Sequence, residues 1–319
     1  MCERLEGGVL SALVFESLLP VFIVIMVGLA MRRTGLVPET HWRGIELLGY
    51  WLLFPVLVLE SLISMDLSSL DLNTLVVVYL AALLVHLVLV WSWRRPLASY
   101  GVDGRSFSSV FQTATRWNGF VALAIAGKYA GDQGMAVVAV IMALSVPVLN
   151  VVNVAVLSVC ASETPATPTR TLINTLKVPL IWAALLGLAI NLLGVPVYAP
   201  FMTSLDMVGR AGLGIGLLTV GAGLRVRAMR AAGPDAIAGI VGKLLIFPVL
   251  VFVACRLGGV TGVAYEMAML CSAVPTAMNG YVLARQMGGD VSLYAATSSL
   301  QVLVSLFTIP AILYLAYAA

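Results

Sequence analysis

Residues 114–132, ATRWNGFVALAIAGKYAGD, are as long and nearly as oily as a membrane span, yet Arg116, Asn118 and Gly119 stand in their first third, at the middle of the apolar run 106–129. A continuous helix in hydrocarbon gains nothing from a cation, an amide and a turn-forming dipeptide at that depth. Asn-Gly is a turn signal, and glycine takes a positive φ at little cost. The stretch therefore predicts a helix that unwinds part-way along, with Gly119 supplying the backbone freedom. Unwound backbone exposes polar groups that lipid cannot satisfy, so it must face protein or a water-filled cavity.

Composition places this stretch in a membrane. The chain of 319 residues is 61% hydrophobic and 10% charged, with a mean hydropathy of +1.04, where a soluble domain carries about 25% charged residues. About 20 apolar residues cross roughly 30 Å of hydrocarbon. Ten such runs follow one another, approximately at 9–31, 44–64, 73–93, 106–129, 133–160, 173–194, 202–223, 235–257, 262–287 and 292–318. Strand-like alternation is absent, so an all-α membrane protein of ten helices is expected. The first run follows an acidic tip with no small-residue cleavage site and reads as a retained helix.

Twelve basic residues fall in alternate connections, among them Arg32, Arg33, Arg94, Arg95, Arg225 and Arg227, against three on the other side, Arg4, Lys128 and Arg256. The positive-inside rule makes the crowded side cytoplasmic, which predicts a multi-pass protein of the cytoplasmic membrane with both termini outside. These cations are topogenic and imply no nucleic acid. Cys2, Cys160, Cys255 and Cys271 show neither metal-ligand nor CxxC spacing, and no P-loop signals ATP drive. No metal or cofactor is expected. An intramembrane enzyme would need a convergent nucleophile, acid–base pair or metal cluster; His41, His86 and scattered carboxylates offer none.

The quoted stretch has a counterpart. Asn118-Gly119-Phe120-Val121 leading to Gly131-Asp132 recurs as Asn279-Gly280-Tyr281-Val282 leading to Gly289-Asp290, and Pro20 with Gly28-Leu29-Ala30 recurs as Pro179 with Gly187-Leu188-Ala189, at separations of 158 to 161 residues. Two halves of five spans result, 1–160 and 173–319, joined by a Pro/Thr-rich linker at 161–172. An odd number of spans makes the second half enter in the opposite sense. That is the inverted repeat of secondary transporters, whose site lies near the midplane at discontinuous helices in matching positions. Pro275 adds to the second break by removing an amide donor.

Each break creates a half-helix N-terminus with about half a positive charge and free N–H groups. Two of them meeting would favour an anion, and the Arg116 fork suits a carboxylate. The predicted site for a small organic anion comprises Asn118, Asn279 and Arg116, with Thr115, Gly119, Pro275, Thr276 and Gly280 beside them. The alternative is that the asparagines only cap broken helices, while Arg116 points into a cytoplasmic vestibule or pairs with a buried acid.

The runs TRWNGFVALAIAGKYAGDQG (115–134), VPVLNVVNVAVL (146–157), GLLTVGAGL (216–224), KLLIFPVL (243–250) and AVPTAMNGYVLARQMGGD (273–290) resemble bacterial members of the auxin efflux carrier family, which includes permeases for malonate and malate and is related to the sodium/bile acid symporters. The resemblance implies a scaffold domain and a transport domain in which broken helices four and nine cross, with alternating-access transport of a small carboxylate. In relatives the asparagines beside the crossing contact the substrate; the matching residues are Asn118 and Asn279. The family often places a proline at the crossing, which Pro275 supplies in one half and nothing supplies near Asn118. A cation/proton antiporter on the same architecture is the competing reading; it would require buried acids where Arg116 stands.

Three further groups are candidates for coupling. Asp206 lies four residues from Arg210 on one helix face, as a self-neutralising pair or a proton relay. Glu60, like Glu16, lacks an evident local partner. Lys243, in the first turns of its span, could snorkel to the cytoplasmic face. His86 reads as a satisfied interior histidine. Glycines 209, 212, 214 and 216 predict close helix contact, and Asn150 and Asn153 could bond neighbouring helices or support the crossing. The expected partners are a carboxylate and the bilayer; a proton, a sodium ion and a second copy of the chain are left open.

Overall fold

The computed structural model describes residues 7–65, 72–161, 177–230 and 232–318. Arg4, Cys2 and residues 162–172 of the expected linker lie outside them. Every regular element among the described residues is helical. In chain order they are α1 (Gly7–Thr34), α2 (Glu39–Ile63), α3 (Asn73–Ser99), α4 (Gly104–Thr115), α5 (Gly119–Tyr129), α6 (Gly131–Cys160), α7 (Pro179–Leu192), α8 (Ala199–Gly223), α9 (Pro234–Gly258), α10 (Gly262–Ala273), α11 (Gly280–Met287) and α12 (Val291–Ala318), with a single turn at Val226–Met229 before α9.

Seven of these, α1, α2, α3, α6, α8, α9 and α12, are long and apolar enough to cross a bilayer. The run expected at 173–194 appears as the shorter apolar α7. The runs at 106–129 and 262–287 are each cut in two, as α4/α5 and α10/α11. Large apolar side chains such as Ile23, Val88, Trp182, Leu257 and Phe307 point outward, as lipid-facing surface does and soluble surface rarely does. The chain is a multi-pass membrane protein.

Local chemistry explains the first cut. Arg116 leaves the helix in an extended conformation (φ −69°, ψ 157°). Asn118 (φ −94°, ψ 102°) then caps α5, its Oδ1 accepting the N–H groups of Phe120 at 3.1 Å and Val121 at 3.3 Å. In the second half the irregular stretch is longer, from Val274 through Asn279, and is centred on Pro275. The glycines do not act as expected. Neither Gly119 nor Gly280 has a positive φ. A Cβ on Gly119 would stand 2.6 Å from Met142 Cε and 2.9 Å from Phe54 Cζ, and one on Gly280 would enter the Tyr294 ring. Both are glycine because neighbours press against the start of a half-helix.

Two π turns, Gly49–Leu53 in α2 and Gly242–Ile246 in α9, precede Phe54-Pro55 and Phe247-Pro248. Each proline lacks an N–H and crowds the carbonyl four residues back; a widened turn relieves that clash without ending the helix. The second π turn carries Lys243.

α1 packs along α8, and α2 along both α7 and α8. Gly28 meets the backbone of Leu218, and Gly221 meets the Ile25 carbonyl. In the predicted glycine row, Gly209 faces Leu57, Gly212 faces Leu53 and Gly216 faces Phe120, whereas Gly214 faces open space. Asn191 of α7 closes this bundle: the two N–H groups of its Nδ2 are shared among the carbonyls of Leu62 and Ile63, both at 2.9 Å, and of Met65 at 2.7 Å, at the end of α2 where carbonyls lack helical partners. Asn191→Leu should lower stability by about 1–3 kcal/mol, read as a lower melting temperature in detergent with ligand affinity unchanged. The remaining helices pack as a second group: α3 on α9, α5 on α6, and α4 against α6, α9 and α12.

Candidate functional site

The two interruptions touch. The Asn118 N–H, which has no acceptor in its own half-helix, donates to the Pro275 carbonyl at 2.8 Å. Pro275 and Thr276 are buried, and Thr276 is tied further: its N–H donates to Gln301 Oε1 of α12 at 2.8 Å, and its hydroxyl lies 3.4 Å from that of Tyr294. Tyr294 also donates to the Ala277 carbonyl. Gln301 Nε2 reaches the carbonyls of Thr113 at 2.9 Å, in the last turn of α4, and of Gly239 at 3.0 Å, in α9. One buried amide thus joins both interrupted helices to a third.

Arg116 projects beside this junction. It is 7% exposed, its Nη1 donates to Asn150 Oδ1 at 3.2 Å, and its Nε is buried without a partner. No carboxylate pairs with it among the described residues, so the alternative of a buried acid partner is not met there. Thr115 meets the same helix, α6, its hydroxyl donating to the Phe111 carbonyl and lying 3.3 Å from Asn153 Oδ1. With its oxygen spent on the cap, Asn118 keeps its amide N–H groups as donors. Asn279 is placed differently: it is exposed, in helical conformation, and its side chain caps nothing.

The sequence pattern of the membrane transport protein family matches residues 13–313. The chain belongs to that family, which is the auxin efflux carrier family. It is similar to an uncharacterized transporter of Methanothermobacter thermautotrophicus, 23% identical over 301 residues that cover 92% of this chain and 96% of the relative. A candidate malonate transporter of Rhizobium meliloti is 30% identical over 139 residues, 43% of each chain. The protein is a transporter and not an enzyme.

The transporter's other predicted charges scatter. Glu60 is half-buried and has a local partner after all, the Ser64 hydroxyl at 3.2 Å; it lines a cavity of about 380 Å³ with Ser61, Ser64, Asp132 and Gln133. Asp206 and Arg210 bond as their spacing predicts, and Arg210 also approaches Asp132 at 3.7 Å. Glu16 is exposed on α1. Lys243 does not snorkel: it is fully buried, and Nζ donates to the carbonyls of Ser272 at 2.9 Å and Cys271 at 3.4 Å. His86 is interior as expected, its Nε2 lying 3.0 Å from the Ala114 carbonyl.

Gln301 and Tyr294 escaped the sequence reading because neither has a motif around it. Tyr294, Thr297, Ser298, Gln301 and Ser305 are all buried and recur at three- and four-residue steps along an apolar span. A polar stripe of that period is a signal that a helix faces protein rather than lipid.

Proposed function

We propose that the transporter moves a small dicarboxylate of the malonate class across the cytoplasmic membrane by alternating access, holding it where the α4/α5 and α10/α11 interruptions meet. The observation that carries this reading is Arg116, a buried guanidinium with no acid partner among the described residues, beside two half-helix N-termini. A buried cation without a counter-ion is costly, and an arriving carboxylate removes that cost. The amide of Asn118 and the exposed Asn279 would supply further donors. The name of the Rhizobium relative supports the choice of malonate as the first ligand to try.

In this reading the twelve helices make ten crossings, as inverted repeats of residues 1–160 and 173–319, with both termini outside. Three pairs of positive-φ glycines support the repeat: Gly35 and Gly194, Gly101 and Gly259, Gly131 and Gly288, separated by 159, 158 and 157 residues. The same backbone turn recurs at the same place in each half. The bundle of α1, α2, α7 and α8 serves as the scaffold, and the remaining helices carry the ligand past it.

Labelled malonate counterflow in proteoliposomes tests the function. Exchange that needs only malonate on both sides supports it; sodium or proton exchange with no dicarboxylate flux would establish the antiporter reading instead. Asn118→Asp separates capping from binding, since aspartate caps a helix as well as asparagine but offers no amide donor and repels an anion. It should melt within about 1 kcal/mol of wild type and lose exchange. Asn279→Ala, at an exposed position, should leave the melting temperature unchanged and weaken malonate binding about tenfold, the value of one hydrogen bond to a charged group.

A further inference from the structure

Lys243 and His86 lie outside the anion site and are engaged with its framework. Both are completely buried. Lys243 Nζ serves the carbonyls of Cys271 and Ser272, two of the four at the end of α10 that have no helical partner. The ammonium also stands 4.6 Å from the centre of the Phe247 ring. Its three N–H groups therefore find three acceptors, two carbonyls and an aromatic face, and no carboxylate pairs with it among the described residues. All three partners favour the charged form. On α3, His86 does the corresponding job for α4, facing the Ala114 carbonyl, and its ring stacks on Phe247 at 4.7 Å.

The two basic residues differ in what their partners require. His86 Nε2 faces an acceptor and so carries the hydrogen, while Nδ1 is buried without a partner; the neutral tautomer satisfies the ring, and a second proton would add an unmet donor. His86 needs no charge to cap its helix, whereas the two carbonyls and the ring around Lys243 suit an ammonium. His86 and Lys243 are 157 residues apart, the spacing that separates the paired glycines. The end of α4 is thus closed by an imidazole N–H and the end of α10 by the amino group of a lysine. Carbonyls at the C-terminal end of a half-helix also help to coordinate sodium in transporters with discontinuous helices, and an aromatic face attracts a cation.

We propose that Lys243 is a tethered substitute for a coupling cation: its ammonium occupies the carbonyl site at the end of α10, so the transporter holds its broken helix ready for the anion without sodium. This rests on the carboxylate-transport reading above, and it makes Lys243 a positioning residue that acts through α10 rather than through contact with the ligand. Removing the tether should convert an ion-independent carrier into an ion-dependent one.

The test is malonate counterflow in proteoliposomes with sodium or choline as the only added cation. No flux from wild type under either condition defeats the transport reading itself. Given flux, the expected result is equal wild-type rates in sodium and choline. Lys243→Ala should lose at least tenfold in choline and recover severalfold with sodium or with ethylammonium, which can enter the space left by the side chain. Lys243→Met, whose chain fills that space without a charge, should not recover. Purified Lys243→Ala should also gain melting temperature from either cation while wild type does not. Wild-type flux that collapses in choline overturns the proposal, and so does Lys243→Ala flux that no cation changes.

Discussion

Arg116→Gln is expected to weaken malonate binding by a factor of about 10²–10³ and to abolish counterflow, while raising the melting temperature of the ligand-free protein. The two effects have one cause. Arg116 is buried, bonded to Asn150 alone, and opposed by no carboxylate among the described residues, so the empty transporter bears the cost of a desolvated cation. Glutamine keeps a donor for Asn150 and removes the charge. A bound dicarboxylate loses its buried counter-charge, a change of about 3–4 kcal/mol. Arg116→Lys should fall between, since an ammonium keeps the charge but cannot hold two carboxylate oxygens at once.

Ligand-dependent thermal shifts measure both effects in one experiment. At a malonate concentration of about 100 Kd, wild type should gain about 2.7 kcal/mol, and Arg116→Gln at that concentration almost nothing. Loss of affinity together with gain in unliganded stability is the signature of a site held in a strained state for function. A purely structural arginine would behave in the opposite way, its removal lowering stability and leaving the shift intact. Wild-type counterflow from Arg116→Gln would place the anion elsewhere.

The interruption of the helices was legible because turn formers in the middle of a hydrophobic run weaken a continuous helix and gain nothing from lipid. Asn118 and Pro275 are local signals, and they mark where the chain leaves the helix. The role of the glycines was not legible. Gly119 and Gly280 follow the turn formers and read as sources of positive φ, but they are glycine because of Met142, Phe54 and Tyr294, residues whose proximity only the tertiary structure sets. Gly35 and Gly194, by contrast, do take positive φ where helices α1 and α7 end, as their place beside a span boundary suggests. Lys243 was misplaced for a similar reason. Near one end of an apolar run, the nearest water is the obvious destination; the carbonyls of Cys271 and Ser272 that capture it lie on another helix, and nothing near residue 243 encodes them. Arg116 stood out in the sequence as a candidate binding group, but its lack of an acid partner among the described residues required every carboxylate near it to be located.

Gln301 yields the second large effect. Gln301→Leu should cost about 3–5 kcal/mol of stability, because it leaves the Thr276 N–H and the carbonyls of Thr113 and Gly239 buried with nothing in place of the amide. Loss of stability alone would not distinguish a brace from ordinary packing, and Gln301→Glu does. Glutamate has the same shape and can still accept from the Thr276 N–H, but an ionised carboxylate turns its second oxygen toward two carbonyl oxygens. Protonation gives that oxygen a hydrogen to donate to one of them. Gln301→Glu should therefore melt well below wild type at pH 8 and recover part of the difference at pH 5, and an apolar packing role would give no such pH dependence. Where the variant is folded, malonate exchange should follow the same trend, since Thr113 lies one turn before Arg116 and Thr276 directly after Pro275. A single amide then joins the segment that carries Arg116 to the one that carries Thr276, so its loss should disturb the proposed anion site from both sides.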